Sequence, residues 1–302
     1  MQTAGEHDAY ELRAGRLTLA IARAFGPRIV GLQLDDGPNF LAVAPQAVLR
    51  APDVEPYNLR GGHRLWVAPE IPAITYRPDD DPVVIEEIPG GASVTGPVDP
   101  VTGLRRTIEL RPHADRPAVA VDHTIENHGQ VTLSVAPWTL TQFRLGGRAY
   151  LPIAAAPSDP LRLLPDRSMV LWPYTRLDDP RFHVSGAIAQ IEAAIKPDAD
   201  GIAPGDPFKL GGPNRDGWLA YAIDGQLFVK RAAQAAGSLP DMGAIAQVYC
   251  DDRFIELETL GALVDLGPGG AIEHRETWEL HTLPPDAGLE AIVALADAGR
   301  AA

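Results

Sequence analysis

The sequence is almost without cysteine, since Cys250 is the only one among 302 residues. A single cysteine excludes an internal disulfide and a metal cage built from cysteines, and it fits a reducing compartment. Because Cys250 lies in an apolar segment, we interpret it as a small packed residue of a strand.

Basic residues are also in short supply. The chain has 26 Lys and Arg against 40 Asp and Glu, which gives a net charge of −14 at pH 7. Proteins that bind a phosphate backbone need a basic face, so nucleic acid is excluded as a partner. No apolar run approaches the ~18 residues that cross a membrane, and the segment 1–6 does not resemble a secretory leader. We therefore expect a cytoplasmic protein without a membrane partner.

Helical patterns are scarce as well. The segment 188–195 is equally compatible with a helix and a strand, and only Leu289, Ile292 and Val293 form a short apolar helical stripe. We predict one short C-terminal helix near 287–299. No glycine-rich loop stands between a strand and a helix, so a nucleotide-binding α/β fold is excluded, and no cofactor is expected.

What the chain has instead is strand-like alternation of side chains. Its 29 glycines and 29 prolines are spread among apolar residues, where they indicate turns. Period-two patterns typical of strands occupy 17–21, 131–135 and 227–230. Turn signals at hairpin spacing are Asp35–Pro38, Asn127–Gly129, Asp224–Gly225 and Asp251–Asp252. The sequence therefore predicts an all-β fold of antiparallel sheets.

No break in composition, linker or internal repeat divides the chain. We predict a single β-sandwich domain over 1–302, with the Asp, Gly and Pro-rich segment 196–213 as a long surface loop. A large sandwich buries one face of each sheet and can leave another face concave and wet. Polar and aromatic side chains on such a face form a ligand groove.

The segment Asp251–Gly261 has two carboxylates on one predicted strand face. In an extended strand, Phe254, Glu256 and Glu258 project on the same side. The pattern fits a groove wall, and it equally fits a solvated face, because half-exposed strands often carry glutamate. Lys230, on a strand that we expect nearby, favours a site, since lysine beside buried glutamate is a common site arrangement.

The segment Ala136–Gly147 supplies a second set of groove candidates. In an extended strand Trp138 and Gln142 share one side. Indole rings stack on the C–H faces of a pyranose, and amides pair with its hydroxyls. A tryptophan at this position also fits an apolar core.

The segment "NLRGGHRLWVAPE", 58–70, is interpreted as a connection that reaches the ligand. Its two glycines let the backbone turn and approach a ligand closely. His63 and Arg64 can bind hydroxyl or carboxylate oxygens, Trp66 offers a stacking face, and Glu70 can orient Arg64. The alternative is a structural ion pair between Arg64 and Glu70, with Trp66 in the core.

Four segments in this order resemble a bacterial family related to galactose mutarotase, the aldose 1-epimerases. They are "NLRGGHRLWVAPE", "VAPWTLTQFRLGG", "GWLAYAIDGQLFVK" and "FIELETLGALVDLGPGGAIEHRETWEL". The resemblance extends over about Glu11–Leu283, and its motifs are specific together. It implies a galactose-mutarotase-like supersandwich with a sugar groove on the concave sheet.

The resemblance also assigns catalytic roles. In true mutarotases a glutamate in a Leu-Glu-Thr-like stretch is the base on the anomeric hydroxyl, and Glu258 occupies that place here. The family's proton donor is a histidine followed by Tyr-Phe-Asn-Leu, whereas 138–142 reads Trp-Thr-Leu-Thr-Gln without an imidazole. None of these side chains is a competent acid near neutral pH. His63 is the candidate replacement, although its order is Gly-Gly-His where the family has His-Gly-Gly.

Two function classes stay open. One is an isomerase that acts at or near the anomeric carbon of a sugar or sugar derivative, with Glu258 as base and His63 as acid. The other is a non-catalytic sugar-binding or sensing protein that kept the groove. The substrate-binding candidates are Arg64, Trp66, Glu70, Trp138, Gln142, Lys230 and Glu256. The sequence leaves the identity of the sugar and the oligomeric state open.

A metal site is not expected. The histidines show no His-x-His motif of the cupin type, and His123 and His128 flank a predicted turn. A cupin-like metalloenzyme is the alternative fold, with His63, Glu70 and Glu258 around a metal.

Overall fold

The computed structural model describes residues 8–155, 161, 163–193 and 206–299. Two antiparallel sheets, of eleven and ten strands, pack against each other. The predicted all-β fold and supersandwich are confirmed.

The strands within the described residues are short to medium in length, and two helices and one 3-10 turn accompany them. In chain order the strands are β1 Ala9–Ala14, β2 Leu17–Ala22, β3 Arg28–Leu34, β4 Val43–Leu49, β5 Tyr57–Ala68, β6 Val84–Ile88, β7 Gly91–Thr95, β8 Leu104–Pro112, β9 Ala118–Asn127, β10 Leu133–Phe143, β11 Arg148–Pro152, β12 Val170–Leu171, β13 Phe182–Ser185, β14 Ile188–Glu192, β15 Phe208–Gly212, β16 Trp218–Ile223, β17 Gln226–Ala232, β18 Ala246–Cys250, β19 Ile255–Leu260, β20 Val264–Leu266 and β21 Ala271–Thr282. The helices are α1 Pro72–Thr75 and α2 Leu289–Ala298, and the 3-10 turn is Asp241–Gly243.

The first sheet has the order β1-β2-β3-β5-β10-β19-β18-β15-β12, with β4 beside β5 and β20 beside β10. The second sheet has the order β13-β14-β11-β16-β17-β21-β9-β8-β7-β6. In the first sheet β5, β10 and β19 are adjacent and antiparallel. Most of the candidate segments 58–70, 136–147 and 251–261 lies in these three strands. The sheet order therefore places the candidate segments side by side.

Each central strand buries both of its faces, but in different surroundings. Ile255 and Leu257 of β19 belong to the main core between the two sheets. Phe254 and Leu260 belong to a second apolar cluster, with Trp138, on the outer face of the first sheet. Successive side chains of a strand point to opposite faces, so alternate residues of each strand belong to the two clusters.

The predicted connection at 58–70 is wrong, because most of it is the twelve-residue strand β5. Gly61 and Gly62 have φ values of +87° and +75° in the middle of this strand. A Cβ at Gly61 would lie 2.0 Å from the carbonyl oxygen of Ala42. Only glycine fits this left-handed backbone and this close approach. The bend lets the first half of β5 pair with β4 and the second half with β3.

The predicted loop at 196–213 is wrong in its last part, where Phe208–Gly212 forms β15 and pairs with β18. A Cβ at Gly211 would lie 2.5 Å from the Cβ of Ala244, so close packing explains the glycine that made this segment loop-like. Residues 196–205 lie outside the described residues.

The other local predictions agree better with the structure. The segment left open between helix and strand contains β14, and its residues 194 and 195 lie outside the described part. Helix α2 lies within the segment predicted to be helical and buries Ile292. Strand β10 begins at Leu133 rather than at Val131. No described helix has both the length and the apolar character needed to cross a membrane.

Candidate functional site

A cavity of about 340 Å³ lies over the outer face of the first sheet, and we call it the groove. Its aromatic lining consists of Trp66, Tyr76, Trp138, Trp172, Tyr174, Tyr249 and Phe254. Its charged lining consists of Arg64, Glu70, Lys209, Arg253 and Glu256. The chain has only 19 aromatic residues, so more than a third of a scarce side-chain class surrounds one cavity. Flat aromatic faces beside charged groups suit the stacking and hydrogen bonding of a pyranose.

Strand register brings the predicted groove residues together. Trp138 of β10 lies opposite Trp66 of β5, and Gln142 lies opposite Glu256 of β19. Glu258 is two residues beyond Glu256 and therefore shares its face. The alternation that the sequence predicted for these two strands thus places their polar side chains on the groove side.

Glu256 is held in place by two donors. Arg64 Nη2 donates to Glu256 Oε1 at 3.0 Å, and Gln142 Nε2 donates to the same oxygen at 2.7 Å. The guanidinium of Arg64 also stacks over the ring of Trp66, 4.3 Å from its centroid. These contacts fix a carboxylate at the bottom of the groove.

The predicted partnership of Arg64 with Glu70 is not formed. Glu70 lies beyond the end of β5, at the rim of the groove, and accepts a hydrogen bond from the Tyr76 hydroxyl. Arg64 lies within the sheet, where Glu256 is within reach. Trp66 is only 5% exposed and packs against Tyr76 and other rings, so it is both a groove wall and a core residue.

Glu258 is completely buried, directly beneath side chains that line the groove. Its Oε2 accepts hydrogen bonds from Trp138 Nε1 at 2.8 Å and from Lys209 Nζ at 2.9 Å. Its Oε1 has no hydrogen-bond partner in the part of the chain that the structure describes. Burial raises the pKa of Glu258 to about 7, because Lys209 and Trp138 only partly offset the loss of water and Glu256 adds to the rise.

Lys209 is the groove residue that sequence reasoning missed, because it lies in the segment predicted to be a loop. Its ammonium is 4.8 Å from the ring centroids of both Trp138 and Trp172. Burial tends to lower its pKa, but the carboxylates of Glu258 and Glu70 outweigh burial and raise it. The alternation of Phe, Lys and Leu at 208–210 was the available signal for a strand.

His63 does not lie in the groove. It follows the alternation of β5 to the opposite face from Arg64, where it is completely buried between the sheets. Its Nδ1 is 2.8 Å from Thr141 Oγ1, and its Nε2 is 2.7 Å from His123 Nε2. The structure therefore contradicts its predicted place as an acid beside Glu258.

Lys230 is also placed elsewhere. It projects from β17 of the second sheet into the space between the sheets, where its Nζ is 2.9 Å from Glu276 Oε1. It donates further hydrogen bonds to the hydroxyls of Thr139 and Thr141. Lys230 is thus the partner of Glu276 and not of Glu258.

Together these residues form an interior polar cluster, which we define as His63, His123, Thr139, Thr141, Lys230, Thr259, His274 and Glu276. Glu276 accepts hydrogen bonds from Thr139, from Thr259 at 2.5 Å and from Trp278 Nε1 at 2.8 Å. The Lys230 ammonium, and after it the nearby His274 ring, outweigh burial and hold the pKa of Glu276 well below its ordinary value.

The imidazoles of the interior polar cluster form a directed chain. The His274 carbonyl accepts from His123 Nδ1 at 2.9 Å, so His123 Nε2 is left as the acceptor for His63 Nε2. His63 Nδ1 then accepts from the Thr141 hydroxyl. Burial lowers the pKa of both imidazoles, to about 4 for His123, which agrees with two neutral rings.

One donor set in the described residues has the composition of a metal site. The candidate ligand atoms of His63, His123 and Glu276 all lie within 4.8 Å of one another. However, the two Nε2 atoms are at the distance of a direct hydrogen bond, and Lys230 already neutralises the carboxylate. A metal ion would have to displace both contacts. The alternative set of His63, Glu70 and Glu258 is not brought together.

Comparisons with known proteins add evidence on the fold. No protein-family model matches the sequence, and a search of curated proteins found no match. Solved structures do match. A galactose mutarotase-like protein from Lactobacillus casei has a TM-score of 0.55 at 10% identity, over 91% of this chain and 100% of that one. A candidate aldose 1-epimerase from Klebsiella pneumoniae has a TM-score of 0.54 at 11% identity, over 99% of this chain and 89% of that one.

The same sandwich also occurs in a longer protein. A TPR-domain containing protein from Parabacteroides distasonis has a TM-score of 0.60 at 13% identity, over 92% of this chain and 48% of that one. These similarities confirm the predicted galactose-mutarotase-like fold. At such identities they show the fold alone, and the function has to be argued from the groove.

Proposed function

We propose that this protein binds a sugar in the groove and interconverts its anomers, with Glu258 as the base that takes the proton of the anomeric hydroxyl. The observation that carries the proposal is a buried carboxylate whose pKa is raised to about 7. One of its oxygens has no hydrogen-bond partner among the described residues. Perturbed carboxylates beside an aromatic cavity are typical of catalytic sites.

Anomer exchange makes two demands on the groove. A base must remove the proton of the C1 hydroxyl and an acid must protonate the ring oxygen, so that the ring opens and closes again on the other face. A general base works best when its pKa is near the working pH, as it is for Glu258. Arg64 and Gln142 hold the Glu256 side chain in place beside Glu258 through hydrogen bonds.

Access to Glu258 depends on Lys209. The carboxylate is fully buried, and the Lys209 side chain lies between it and the cavity as part of the lining. The four-carbon stem of lysine is flexible, so the ammonium can move from the Glu258 oxygen to an oxygen of a bound sugar. The half-buried ring of Trp172 offers a flat face on which that sugar can stack.

A non-catalytic sugar-binding protein is the second candidate. The position of His63 between the sheets favours it, because no imidazole reaches the groove from the segments that the resemblance had singled out. The likeness to structures named as mutarotase-like or as candidate aldose 1-epimerase supports the catalytic class instead.

The test has two stages. Thermal shifts with neutral aldoses, uronic acids and sugar phosphates identify a bound sugar, since a ligand at 100 times its Kd adds about 2.7 kcal/mol of stability. Polarimetry on freshly dissolved bound sugar then follows mutarotation. We expect wild type to accelerate it and Glu258→Gln to lower the rate by a factor of about 10² to 10⁴.

Glu273→Gln is the matched control, because Glu273 is an exposed glutamate on β21. It should retain the rate of wild type. A wild-type protein that binds the sugar without accelerating mutarotation would refute the catalytic proposal and support the binding protein. Full activity of Glu258→Gln would remove Glu258 from the base role.

A further inference from the structure

The groove contains a candidate base, and its proton donor has to be found among the other lining residues. Arg64 and Arg253 carry guanidinium groups, which do not release a proton in proteins. Tyr76, Tyr174 and Tyr249 are phenols whose pKa burial and nearby carboxylates raise further above neutrality. These side chains can bind a sugar, but burial itself opposes proton loss from the phenols, whereas burial favours proton loss from an ammonium.

We propose that Lys209 is the catalytic acid, which donates a proton to the ring oxygen while Glu258 takes the proton of the anomeric hydroxyl. This inference rests on the proposed function. The Lys209 side chain lines the groove, its Nζ is 2.9 Å from Glu258 Oε2, and its ammonium lies over the rings of Trp138 and Trp172. A pyranose stacked on the half-buried Trp172 would bring its C1 hydroxyl and its ring oxygen towards both charged groups.

The charge balance of the pair couples the two proton transfers. The groups that face Lys209 are Glu258, Glu70 and Glu256, and their charges hold its pKa up against burial. When Glu258 takes a proton, the nearest of these charges disappears. Burial then lowers the pKa of the ammonium, so Lys209 becomes a stronger acid at the moment when the ring oxygen needs a proton.

The step is balanced without a co-reactant. The Glu258 carboxylate removes the proton from the C1 hydroxyl, the C1–O bond to the ring oxygen breaks, and a C1 carbonyl forms. The ring oxygen takes a proton from the Lys209 ammonium, which becomes a neutral amine. Rotation about the C1–C2 bond presents the other carbonyl face, and the reverse proton transfers close the ring and restore both groups.

The chemistry of an ammonium fits this role. An ammonium can release its proton when buried, whereas a guanidinium cannot. The groove lining places the Lys209 ammonium beside two guanidinium groups, those of Arg64 and Arg253. Lys209 can therefore release and regain a proton where these arginines only bind.

The first experiment compares Lys209→Arg with wild type by polarimetry, on a sugar whose mutarotation wild type accelerates. The arginine keeps the positive charge and cannot act as the acid, so the rate should fall by a factor of about 10² or more. Thermal shifts should show that the variant still binds the sugar. Retention of the full rate by Lys209→Arg would overturn the inference.

The pH profile separates an acid from a merely structural cation. In wild type the rate should rise with pH as Glu258 ionises and fall at alkaline pH as Lys209 loses its proton. Glu258→Gln should remove the rise, and Lys209→Arg should remove the alkaline fall from the activity that remains. An unchanged alkaline limb in Lys209→Arg would also overturn the inference.

Chemical rescue provides the second variant. Lys209→Cys should be inactive, and alkylation with bromoethylamine should restore an amine and with it the activity. The native Cys250 is 1% exposed and burial raises its pKa to about 12, so the native thiol should stay unmodified. The alkaline limb should shift to lower pH, because a thioether makes the amine more acidic. An alkylated protein without recovered activity would count against Lys209.

The two proposals fail separately. A wild-type protein that does not accelerate mutarotation of a bound sugar refutes the proposed function. An inactive Glu258→Gln beside a fully active Lys209→Arg refutes only the role of Lys209.

Discussion

In the groove the ammonium of Lys209 lies 2.9 Å from Glu258, and in the interior polar cluster the ammonium of Lys230 lies 2.9 Å from Glu276. All four side chains are at most 5% exposed. The two glutamates nevertheless titrate in opposite directions. The pKa of Glu258 is raised to about 7, whereas that of Glu276 is held well below its ordinary value.

The difference comes from the groups around each pair. Glu276 accepts hydrogen bonds from Trp278 and two threonine hydroxyls in addition to its ion pair. Glu258 receives its two donors on one oxygen, and a second carboxylate, Glu256, lies beside it. Donors to the ionised form stabilise it, and a neighbouring negative charge opposes it. Glu276 is therefore held ionised, whereas Glu258 can exchange a proton near neutral pH.

The largest expected effect is on stability. Glu276→Gln should lower the free energy of unfolding by about 3 to 5 kcal/mol, because Lys230 is left buried without its carboxylate. The same change at Glu258 should cost about 1 kcal/mol or less, since burial already opposes the ionised form and Glu256 and Glu70 still face Lys209. Urea unfolding at pH 7 measures both. Equal losses would contradict the contrast between the two pairs.

The pH dependence of stability should also differ in sign. Folded wild type keeps a proton on Glu258 that the unfolded chain releases above its ordinary pKa of 4.5. Its stability relative to Glu258→Gln should therefore fall as the pH rises from about 4.5 to about 7, and level off above that. Relative to Glu276→Gln, wild type should be most stable above the ordinary glutamate pKa and lose the difference as the pH falls.

Urea unfolding across this pH range, with each variant beside wild type, measures both slopes. Parallel curves for the two variants would show that the pairs do not differ in their proton equilibria. The comparison with a variant at each pH cancels the contribution of the histidines and other carboxylates.

The smallest expected effect concerns the aromatic walls. Trp172→Leu should weaken sugar binding by about 1 kcal/mol, because it removes a stacking face, and should change the free energy of unfolding by only about 0.5 kcal/mol. Trp172 is half-buried at the groove. Trp278→Phe, next to the interior polar cluster, should lower the free energy of unfolding and leave sugar binding unchanged, since it removes a donor to Glu276 and lies outside the groove lining. Calorimetric titration beside urea unfolding separates the two.

Trp66 and Arg64 also line the groove, but they are less suitable for this test. Trp66 packs into the apolar cluster beneath the groove, and Arg64 is the ion-pair partner of Glu256. Truncating either residue would disturb the fold and the binding surface together.

Much of the groove could be predicted from alternation. The pattern of 254–258 correctly indicated that Phe254, Glu256 and Glu258 share a face, and the pattern of β10 did the same for Trp138 and Gln142. These predictions hold because the side-chain period of a strand is fixed by the backbone and does not depend on distant contacts.

Alternation was not applied to the segment of β5, because its paired glycines suggested a connection. Once 57–68 is known to be a strand, Arg64 and Trp66 must share one face and His63 must take the other. His63 was misplaced because the segment was predicted to be a connection and is a strand. Its two glycines bend the strand and do not end it. Lys209 was missed because β15 also contains a glycine, which serves close packing and made the segment resemble a loop.

The sequence by itself determined the all-β class, the strand periods and the set of side chains that each strand offers to a face. Only the tertiary structure decided which of these side chains meet, because partners such as Arg64 and Glu256 are 192 residues apart. It placed Lys209 with Glu258 and Lys230 with Glu276, where the sequence had suggested Lys230 with Glu258. The reason is physical, since desolvation and the number of donors around a carboxylate are set by the packing of several strands and not by local sequence.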